Sequence, residues 1–386
     1  MRYFIIAGEA SGDLHGANLM KALREKDSQA VFVGLGGDKM RAEGCKICVD
    51  YRDMAYMGIV AVLRNIGKVK RNFSIAKLAL QREQPDVLIL IDYPTFNLKI
   101  AKFCKTNLAR TKVVYYIPPK VWAWKKWRVH SIAKYCDQIL GIFPFEPAFY
   151  AKYGYTCQYV GNTTADCIQE FKLEKGGLST THEEELKNQS SKSIIAILPG
   201  SRRSEISQCL HTMLEASRQV AGNQYQIVVA KAPGVEDVFY QPFIQDEILT
   251  RDTYKLLMEA KAAIVNSGTA TLETALIGCP QTAVYYIAGS KYLEALLRPI
   301  IFSIPHFTLV NIILQDQVIQ ELIASRFTVE NLIKELNLLL HDTTYRSSMM
   351  SKYQLLHDIL GNTSASNNAA DKIYTLLNLN SNETNQ

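Results

Sequence analysis

One carboxylate in the sequence has surroundings that suit it to proton transfer. Asp92 directly follows the apolar run 86–91 (DVLILI), and Pro94 enforces a turn two residues later. A carboxylate at the end of a buried strand is partly removed from water, which raises its pKa and suits it to general-base catalysis. Aspartate is also a common helix N-cap, so the residue types by themselves leave both roles open.

Two segments in the second half of the sequence have the residues of a phosphate-binding turn. Residues 198–205 (LPGSRRSE) and 266–273 (NSGTATLE) each place small residues between an apolar run and a helical pattern. Free N–H groups at a helix N-terminus, helped by two guanidinium groups, favour a diphosphate. Surface arginines and ordinary helix caps are the alternatives. Together the segments favour a nucleotide diphosphate, with Glu273 placed for the ribose hydroxyls; the other candidates are Gly200, Ser201, Arg202, Ser267, Gly268 and Thr269.

A further glycine-containing turn, 8–13 (GEASGD), follows the first apolar run. Its N–H groups could approach an anion at the start of the next helix. The glycine spacing is that of neither a dinucleotide-binding motif nor a P-loop. A tight turn in which Ser11 or Asp13 caps the helix explains the same residues equally well.

The segment 57–71 combines apolar and basic residues. A basic amphipathic segment of this kind can lie on an anionic bilayer surface. An ordinary surface helix with a core-facing stripe is the alternative. The apolar members are Met57, Ile59, Val62, Leu63 and Ile66, and the basic members are Arg64, Lys68, Lys70 and Arg71.

The elements that must position these residues alternate along the chain. Short apolar runs typical of strands buried in a parallel sheet alternate with helical patterns, which indicates βαβ units. In such folds ligands bind at the carboxyl ends of the strands, so we expect a site in the crevice between two α/β domains. The predicted strands are 3–7, 30–34, 86–91, 112–117, 138–143, 193–198, 226–231, 262–266 and 281–287. The predicted helices are 14–23, 96–105, 129–135, 204–220, 251–260, 269–277 and the region from about 316 to 377.

Length and composition fit a two-domain globular protein. Of the 386 residues, 48% are hydrophobic and 21% are charged, which excludes wholesale disorder, collagen-like repeats and a coiled-coil rod. The net charge of +6 fits an anionic small molecule or lipid surface and is too weak to indicate nucleic acid. The eight scattered cysteines are typical of a reducing cytosol, and no apolar stretch reaches the length of a membrane span.

Taken together, these motifs resemble the lipid A disaccharide synthases, a family of bacterial glycosyltransferases. The resemblance covers nearly the whole chain and rests on GEASGDLHGANLM, MGIVAVL, IDYPTFNLKIAK, VWAWKKWRV, FPFEPAFY, LPGSRRSEI, SGTATLE and LVNIIL. It implies an α/β fold of the GT-B type, in which two Rossmann-like doubly wound domains face a cleft. We expect an acceptor and lipid domain at 1–169, a linker at 170–192 and a UDP-sugar domain at 193–345. Helices within 346–386 would return to the first domain before a polar tail.

The resemblance also implies a reaction. It is an inverting, metal-independent transfer of 2,3-diacylglucosamine from UDP-2,3-diacylglucosamine to the 6-hydroxyl of lipid X, which is 2,3-diacylglucosamine 1-phosphate. The products would be lipid A disaccharide 1-phosphate and UDP, and no cofactor would be needed. The enzyme would be a homodimer at the cytoplasmic face of the inner membrane of a Gram-negative bacterium.

The same resemblance implies roles for particular residues. Asp92 matches the family's candidate base, and Asn311 matches an asparagine near the donor. Arg202 and the turn residues named above would bind UDP. Ser11, Gly12 and Asp13 would shape the acceptor side, and the apolar residues of 57–69 would guide acyl chains.

The sequence departs from the family pattern at four positions. Asn162 stands where a histidine is usual, and asparagine cannot titrate, so an acid role of that histidine is absent or moved. Ala61, Thr95 and Ala324 stand where Glu, Asp and Gln are common. Two alternatives follow: a catalytically impaired homologue that binds nucleotide sugar or lipid, and a UDP-sugar epimerase on the same fold.

Overall fold

Two parallel β-sheets, one in each of two units of the chain, form the framework of the protein. The computed structural model describes residues 1–54, 66–123, 125–174, 192–286, 306–361 and 363–383. One unit comprises Met1–Thr163 with Gly361–Gln386, and the other comprises Thr164–Leu360.

The sheet of the first unit has seven described strands. They are β1 (Arg2–Ala7), β2 (Val31–Gly36), β3 (Lys46–Asp50), β4 (Val87–Ile91), β5 (Lys112–Tyr116), β6 (Gln138–Gly141) and β7 (Gln158–Tyr159). All pair in parallel, in the order β3-β2-β1-β4-β5-β6-β7. Because the chain runs outward in both directions from β1 and β4, the crevice beyond the carboxyl ends of these two strands is the topological switch point of the sheet.

The sheet of the second unit repeats this arrangement with six described strands. They are β8 (Ser193–Leu198), β9 (Tyr225–Ala230), β10 (Ile248–Thr250), β11 (Ala260–Asn266), β12 (Gln281–Tyr285) and β13 (Gln320–Ile323). The order is β10-β9-β8-β11-β12-β13, again parallel. The switch point of this unit therefore lies beyond the carboxyl ends of β8 and β11.

Helices follow most strands. In chain order they are α1 (Ala10–Lys26), α2 (Asp38–Ala42), α3 (Ile66–Glu83), α4 (Pro94–Asn107), α5 (Arg128–Tyr135), α6 (Glu146–Ala151), α7 (Thr163–Glu174), α8 (Arg203–Ala221), α9 (Thr253–Glu259), α10 (Thr269–Ile277), α11 (Leu309–Leu314), α12 (Val329–His341), α13 (Thr343–Leu360) and α14 (Ala365–Glu383). Short 3-10 turns lie at Tyr51–Asp53, Asp237–Phe239 and Ala324–Arg326. Within the described ranges, no helix has the length and apolar character needed to cross a bilayer.

The central strands are apolar because both of their faces are covered. All five residues of β4 are buried, as expected for a parallel strand between two helical layers. On one face, Leu88 and Leu90 join a core with Leu80 of α3 and Ile100 of α4. Burial of such side chains contributes about 1.5–3 kcal/mol each, which makes this core the main source of stability around β4.

The C-terminal helices divide between the units, which corrects one expected boundary. Within the first unit α14 packs on α1, where Lys26 pairs with Asp371 at 2.5 Å. In contrast, α13 belongs to the second unit, although most of it lies in the segment 346–386 that was expected to return to the first domain. It stays there because it buries Tyr353, whose hydroxyl lies 3.3 Å from the amide of Gln281 in β12.

Two other expectations from the sequence need revision. The region after residue 316 was predicted to be helical, but it contains β13, which pairs with β12 through Thr282 and Gln320. The first residues of the predicted linker 170–192 belong to α7. Residues 175–191 of that linker lie outside the described ranges.

Candidate active site

Asp92 lies at the switch point of the first unit, directly after β4. Its φ is 41°, and that of Tyr93 is 47°, so two consecutive side-chain-bearing residues adopt the left-handed region. Ile117 at the end of β5 has φ 59°, and its carbonyl accepts a hydrogen bond from the Asp92 N–H at 3.1 Å. Strain of this kind persists only where the surroundings over-determine the conformation, and it is concentrated at functional sites.

The carboxylate of Asp92 is accessible from solvent although protein crowds around it. The residue is exposed, yet the surrounding protein displaces enough water to raise the pKa of its carboxyl group. The cation of Lys120, in the loop after β5, and the Tyr93 N–H oppose that rise. A carboxylate that is reachable and has a raised proton affinity is suited to accept a proton from a hydroxyl.

The turn after β1 lies at the same edge of the sheet. A β-carbon at Gly8 would overlap the ring of Tyr93, so only glycine fits there. Ser11 is exposed in the first turn of α1. Gly12 is buried, and a β-carbon on it would lie 3.3 Å from that of Ala7. The structure thus places Ser11 and Gly12 at the switch point that also holds Asp92.

Asp13 has a structural role in the first unit, and its expected place at the acceptor side stays a prediction. The residue is 3% exposed. Its carboxylate accepts hydrogen bonds from the N–H groups of Gly37 at 2.6 Å, Lys39 at 3.0 Å and Met40 at 3.2 Å. These bonds provide an acceptor for the N–H groups at the start of α2, and they link α2 to α1, which contains Asp13. The carboxylate of Asp13 thus fixes the turn after β2.

Sequence reasoning did not identify Glu146, the first residue of α6. Its carboxylate is 1% exposed and accepts the N–H groups of Ile142 at 2.8 Å and Phe143 at 2.9 Å, which closes the turn after β6. Burial raises the pKa of Glu146 to about 7, although these N–H groups oppose the rise. Lys120 interacts electrostatically with both Glu146 and Asp92. An acidic residue beside Pro147 at a predicted helix start was the available signal.

Two of the positions that depart from the family pattern, Asn162 and Thr95, have ordinary structural contacts. Asn162 is buried and donates its amide to the Ile142 carbonyl at 2.9 Å. Thr95 accepts a hydrogen bond from Arg128 at 3.1 Å. Ala324 has a φ of 52° at the end of β13, and Ala61 lies outside the described residues.

In the second unit, the two predicted phosphate-binding segments flank the switch point. Asn266, the last residue of β11, donates its amide to the carbonyl of Pro199 after β8 at 3.1 Å. Gly200 has a φ of 120°, and a β-carbon on it would lie 2.7 Å from the Asn266 amide. Only glycine therefore allows the two segments to approach so closely.

The two arginines of the first segment diverge, so only one of the two expected guanidinium groups stays at the turn. Arg202 is the N-cap of α8, and its side chain is 58% exposed. Its contact in the described structure is Glu205 of the same turn, at 3.4 Å. Arg203 forms an ion pair with Glu236 and lies over the ring of Phe239 at 5.2 Å. Ser201 is also held in this turn, because its N–H donates to Glu205 at 3.0 Å.

The second segment presents the N-terminus of α10. Gly268 and Thr269 are exposed there, and no described side chain caps the helix. The Ser267 N–H is already used, because it donates to the Val284 carbonyl at 2.7 Å. Glu273 lies one turn into the helix, where burial raises the pKa of its carboxyl group. Uncapped N–H groups at the start of a helix attract anions.

Asn311 has structural hydrogen bonds within the second unit, and its expected contact with the donor stays a prediction. It is fully buried in α11. Its amide donates to the Ile319 carbonyl and the Glu321 carboxylate, each at 2.9 Å, and its oxygen accepts the N–H groups of Val318 and Ile319. Both the amide nitrogen and the amide oxygen of Asn311 therefore have hydrogen-bond partners. Through them the side chain links α11 to β13.

The structure describes only the last part of the segment 57–71, from residue 66 onward. Lys68, Lys70 and Arg71 are exposed on α3, and none forms an ion pair with a described acidic group. Met57, Ile59, Val62, Leu63, Arg64 and the side chain of Ile66 lie outside the described residues. No group of three or more His, Cys, Asp or Glu residues that could hold a metal ion occurs in the described parts of the chain.

Comparisons with solved structures agree with the fold. The S. aureus MnaA–UDP structure aligns with a TM-score of 0.67 and 12% identity, covering 98% of this chain and 97% of that one. The spinosyn forosaminyltransferase SpnP aligns with a TM-score of 0.55 and 14% identity, covering 98% of this chain and 99% of that one. The predicted α/β fold class of the GT-B type is confirmed.

Comparisons of sequence identify the family. The family model for lipid-A-disaccharide synthetase matches residues 3–373. The lipid-A-disaccharide synthases of Trichlorobacter lovleyi and Geobacter metallireducens are 36% and 33% identical over 383 residues, covering 97% of this chain and 97% of each relative. The chain therefore belongs to the lipid-A-disaccharide synthetase family, and it is a glycosyltransferase.

Proposed function

We propose that the enzyme transfers 2,3-diacylglucosamine from UDP-2,3-diacylglucosamine to the 6-hydroxyl of lipid X, forming lipid A disaccharide 1-phosphate and UDP. The observation that carries the proposal is the placement of complementary groups at the two switch points. A carboxylate with a raised pKa, that of Asp92, occupies one of them. Arg202 and the uncapped start of α10 flank the other.

Asp92 is the proposed general base. It takes the proton of the 6-hydroxyl while the hydroxyl oxygen forms a bond to the anomeric carbon of the donor. The bond from that carbon to the diphosphate oxygen breaks, and its electron pair leaves with UDP. Attack on the face opposite the leaving group inverts the anomeric centre.

The groups of the second unit stabilise the departing UDP. The guanidinium of Arg202 and the N–H groups at the start of α10 are cationic or carry partial positive charge, so they offset the charge that develops on the diphosphate. Gly200, Ser201, Ser267, Gly268 and Thr269 allow the backbone to approach it closely. Glu273 would accept the ribose hydroxyls. We propose that these groups suffice without a metal ion or cofactor, and EDTA should leave the rate unchanged.

The acyl chains of both substrates require contact with a membrane. Lys68, Lys70 and Arg71 are exposed together at the start of α3, which supports binding to an anionic bilayer surface. The apolar residues of 57–66 would guide the acyl chains there. Ser11 and Gly12 would line the acceptor side. The enzyme would act as a peripheral homodimer at the cytoplasmic face of the inner membrane.

The test is to incubate the purified protein with UDP-2,3-diacylglucosamine and lipid X and to follow the disaccharide and UDP by mass spectrometry. Disaccharide that forms only with both substrates, and that is lost in Asp92→Ala while UDP still binds, supports the proposal. An altered donor sugar without acceptor would instead indicate an epimerase. Binding of UDP without any product would indicate a binding protein.

A further inference from the structure

Two buried side chains converge on the backbone carbonyl of Asp92. The hydroxyl of Tyr115, in β5, donates to this oxygen at 2.7 Å. The amide of Asn97, in α4, donates to it at 2.6 Å and also lies 3.2 Å from the Ile91 carbonyl. Tyr115 and Asn97 are both fully buried. Their hydrogen-bonding groups therefore serve the backbone at the end of β4 and do not face solvent.

These hydrogen bonds act where two consecutive residues have a left-handed backbone conformation. Asp92 and Tyr93 have φ values of 41° and 47°, a region that β-carbon-bearing residues avoid. The ordinary sheet ladder cannot hold them, because β4 ends at Ile91. The Asp92 N–H is held by Ile117 at 3.1 Å, so both polar groups of the Asp92 backbone are fixed by the neighbouring elements.

The next residue, Tyr93, is fixed as well. The phenol of Tyr93 donates to the Met54 carbonyl at 2.6 Å, and its ring covers Gly8. The side chain of Asp92 remains exposed. The network thus orients the Cα–Cβ bond of Asp92, and the exposed carboxylate can still meet a ligand. A reacting group must be held close to its productive geometry, because small displacements lower the rate greatly.

We propose that Tyr115 and Asn97 are positioning residues, which hold Asp92 in the left-handed conformation and so direct its carboxylate to the acceptor hydroxyl. This inference rests on the proposed function, because it assumes that Asp92 is the base. Neither residue touches a substrate, so both act through Asp92.

Tyr115→Phe is the variant to test, because it removes one hydroxyl and keeps the ring in the core. Asn97→Ala would leave a cavity and is less informative. Tyr150→Phe is the matched control, since Tyr150 is also fully buried in the first unit and its hydroxyl has no hydrogen-bond partner among the described residues. We expect Tyr115→Phe to lower kcat about 10-fold, with KM for the donor and Kd for UDP unchanged, and Tyr150→Phe to stay within about 2-fold of wild type.

The same substitution is then made in Asp92→Asn, whose residual turnover is followed over long incubations by mass spectrometry. If Tyr115 acts through Asp92, removal of its hydroxyl causes no further loss in this background. If Tyr115 had a purely structural role, Tyr115→Phe would lower the rate by the same factor in the wild-type and in the Asp92→Asn background. That result, or a kcat of Tyr115→Phe equal to that of Tyr150→Phe, would overturn the inference.

Failure of the inference can be told apart from failure of the proposed function. If wild type forms no disaccharide, the proposed function is wrong and the inference falls with it. If wild type is active and Asp92→Asn is equally active, Asp92 is not the base and positioning through it is excluded. If wild type is active, Asp92→Asn is impaired and Tyr115→Phe is normal, only the positioning role is wrong.

Discussion

The carboxylate of Glu321 accepts a hydrogen bond from the amide of Asn311 at 2.9 Å. Glu321 also accepts the Thr308 N–H and hydroxyl, each at 2.8 Å, so this carboxylate organises the chain that leads into α11. Asn311 was expected to contact the donor, but this network uses it to join α11 to β13. The network therefore shapes the second unit around Asn311, and a direct contact with the donor stays a prediction.

Asn311→Ala is expected to lower the free energy of unfolding of the second unit by about 2–3 kcal/mol, because it leaves buried polar groups without partners. Urea denaturation followed by fluorescence measures this loss. UDP affinity of the folded fraction should remain close to that of wild type. A variant of normal stability that no longer binds UDP would contradict the structural role and restore a direct donor contact.

Arg202→Ala is expected to weaken UDP binding by about 10- to 100-fold, since a hydrogen bond from a charged group to a diphosphate contributes about 1.5–3 kcal/mol. Arg203→Ala is the matched control, because Arg203 is engaged by Glu236 and Phe239. It should change the affinity by less than about 3-fold. Isothermal titration with UDP measures both, and equal losses would show that the two guanidinium groups do not differ.

Lys120→Met is expected to move the acidic limb of the rate profile to higher pH. Burial raises the pKa of Asp92 and the Lys120 cation opposes this, so removing the cation raises that pKa further. A base with a higher pKa is protonated, and hence inactive, at a higher pH. Lys126→Met, on the same loop and also exposed, is the control. Identical profiles of kcat against pH for both variants would show that Lys120 does not influence the base.

Glu146→Gln is expected to flatten the pH dependence of stability. The pKa of Glu146 is about 7 in the folded protein, above its ordinary value of 4.5. The fold therefore favours the protonated carboxyl, and stability falls as the pH rises from about 4.5 to 7 and is constant above that range. The free energy of unfolding falls by at most about 3 kcal/mol for a pKa shift of this size.

The check on Glu146 is urea denaturation of wild type and Glu146→Gln at pH 5 and pH 8. Glutamine is neutral at both values, so the variant should lose less stability between them than wild type does. The two N–H groups at the turn after β6 can still be accepted by the amide oxygen. Parallel losses in the two proteins would mean that Glu146 does not titrate in this range.

Replacing Lys68, Lys70 and Arg71 by Gln is expected to reduce binding to anionic vesicles, because each cation near such a surface contributes about 1 kcal/mol. Co-sedimentation with phosphatidylglycerol vesicles measures the change. The control replaces Lys39, Lys46 and Arg110, which are exposed elsewhere in the first unit. Equal reductions would show that the effect comes from net charge, and unchanged binding would exclude this part of α3 from the membrane contact.

The sequence by itself determined the central strands of both sheets and the positions of the turns that follow β4, β8 and β11. The predicted bounds of β8 and α10 agree with the structure to the residue, and Asp92, Gly200 and Gly268 lie after strands as expected. These features depend on local signals: continuous apolar runs, and glycine or proline at the turns. The parallel βαβ character of both units followed from the same alternation.

Tertiary structure alone decided the short edge strands and the roles of buried polar residues. β3, β7, β10 and β13 were missed, because runs of two to five residues have too little pattern of their own and are strands only through their neighbours. Asp13 and Asn311 have the residue types of a binding site, but their hydrogen bonds go to Gly37 in the turn after β2 and to Ile319 just before β13. The strain at Asp92, and the hydroxyl and amide that hold it, likewise exist only because β4, β5 and α4 meet, and no spacing along the chain encodes that meeting.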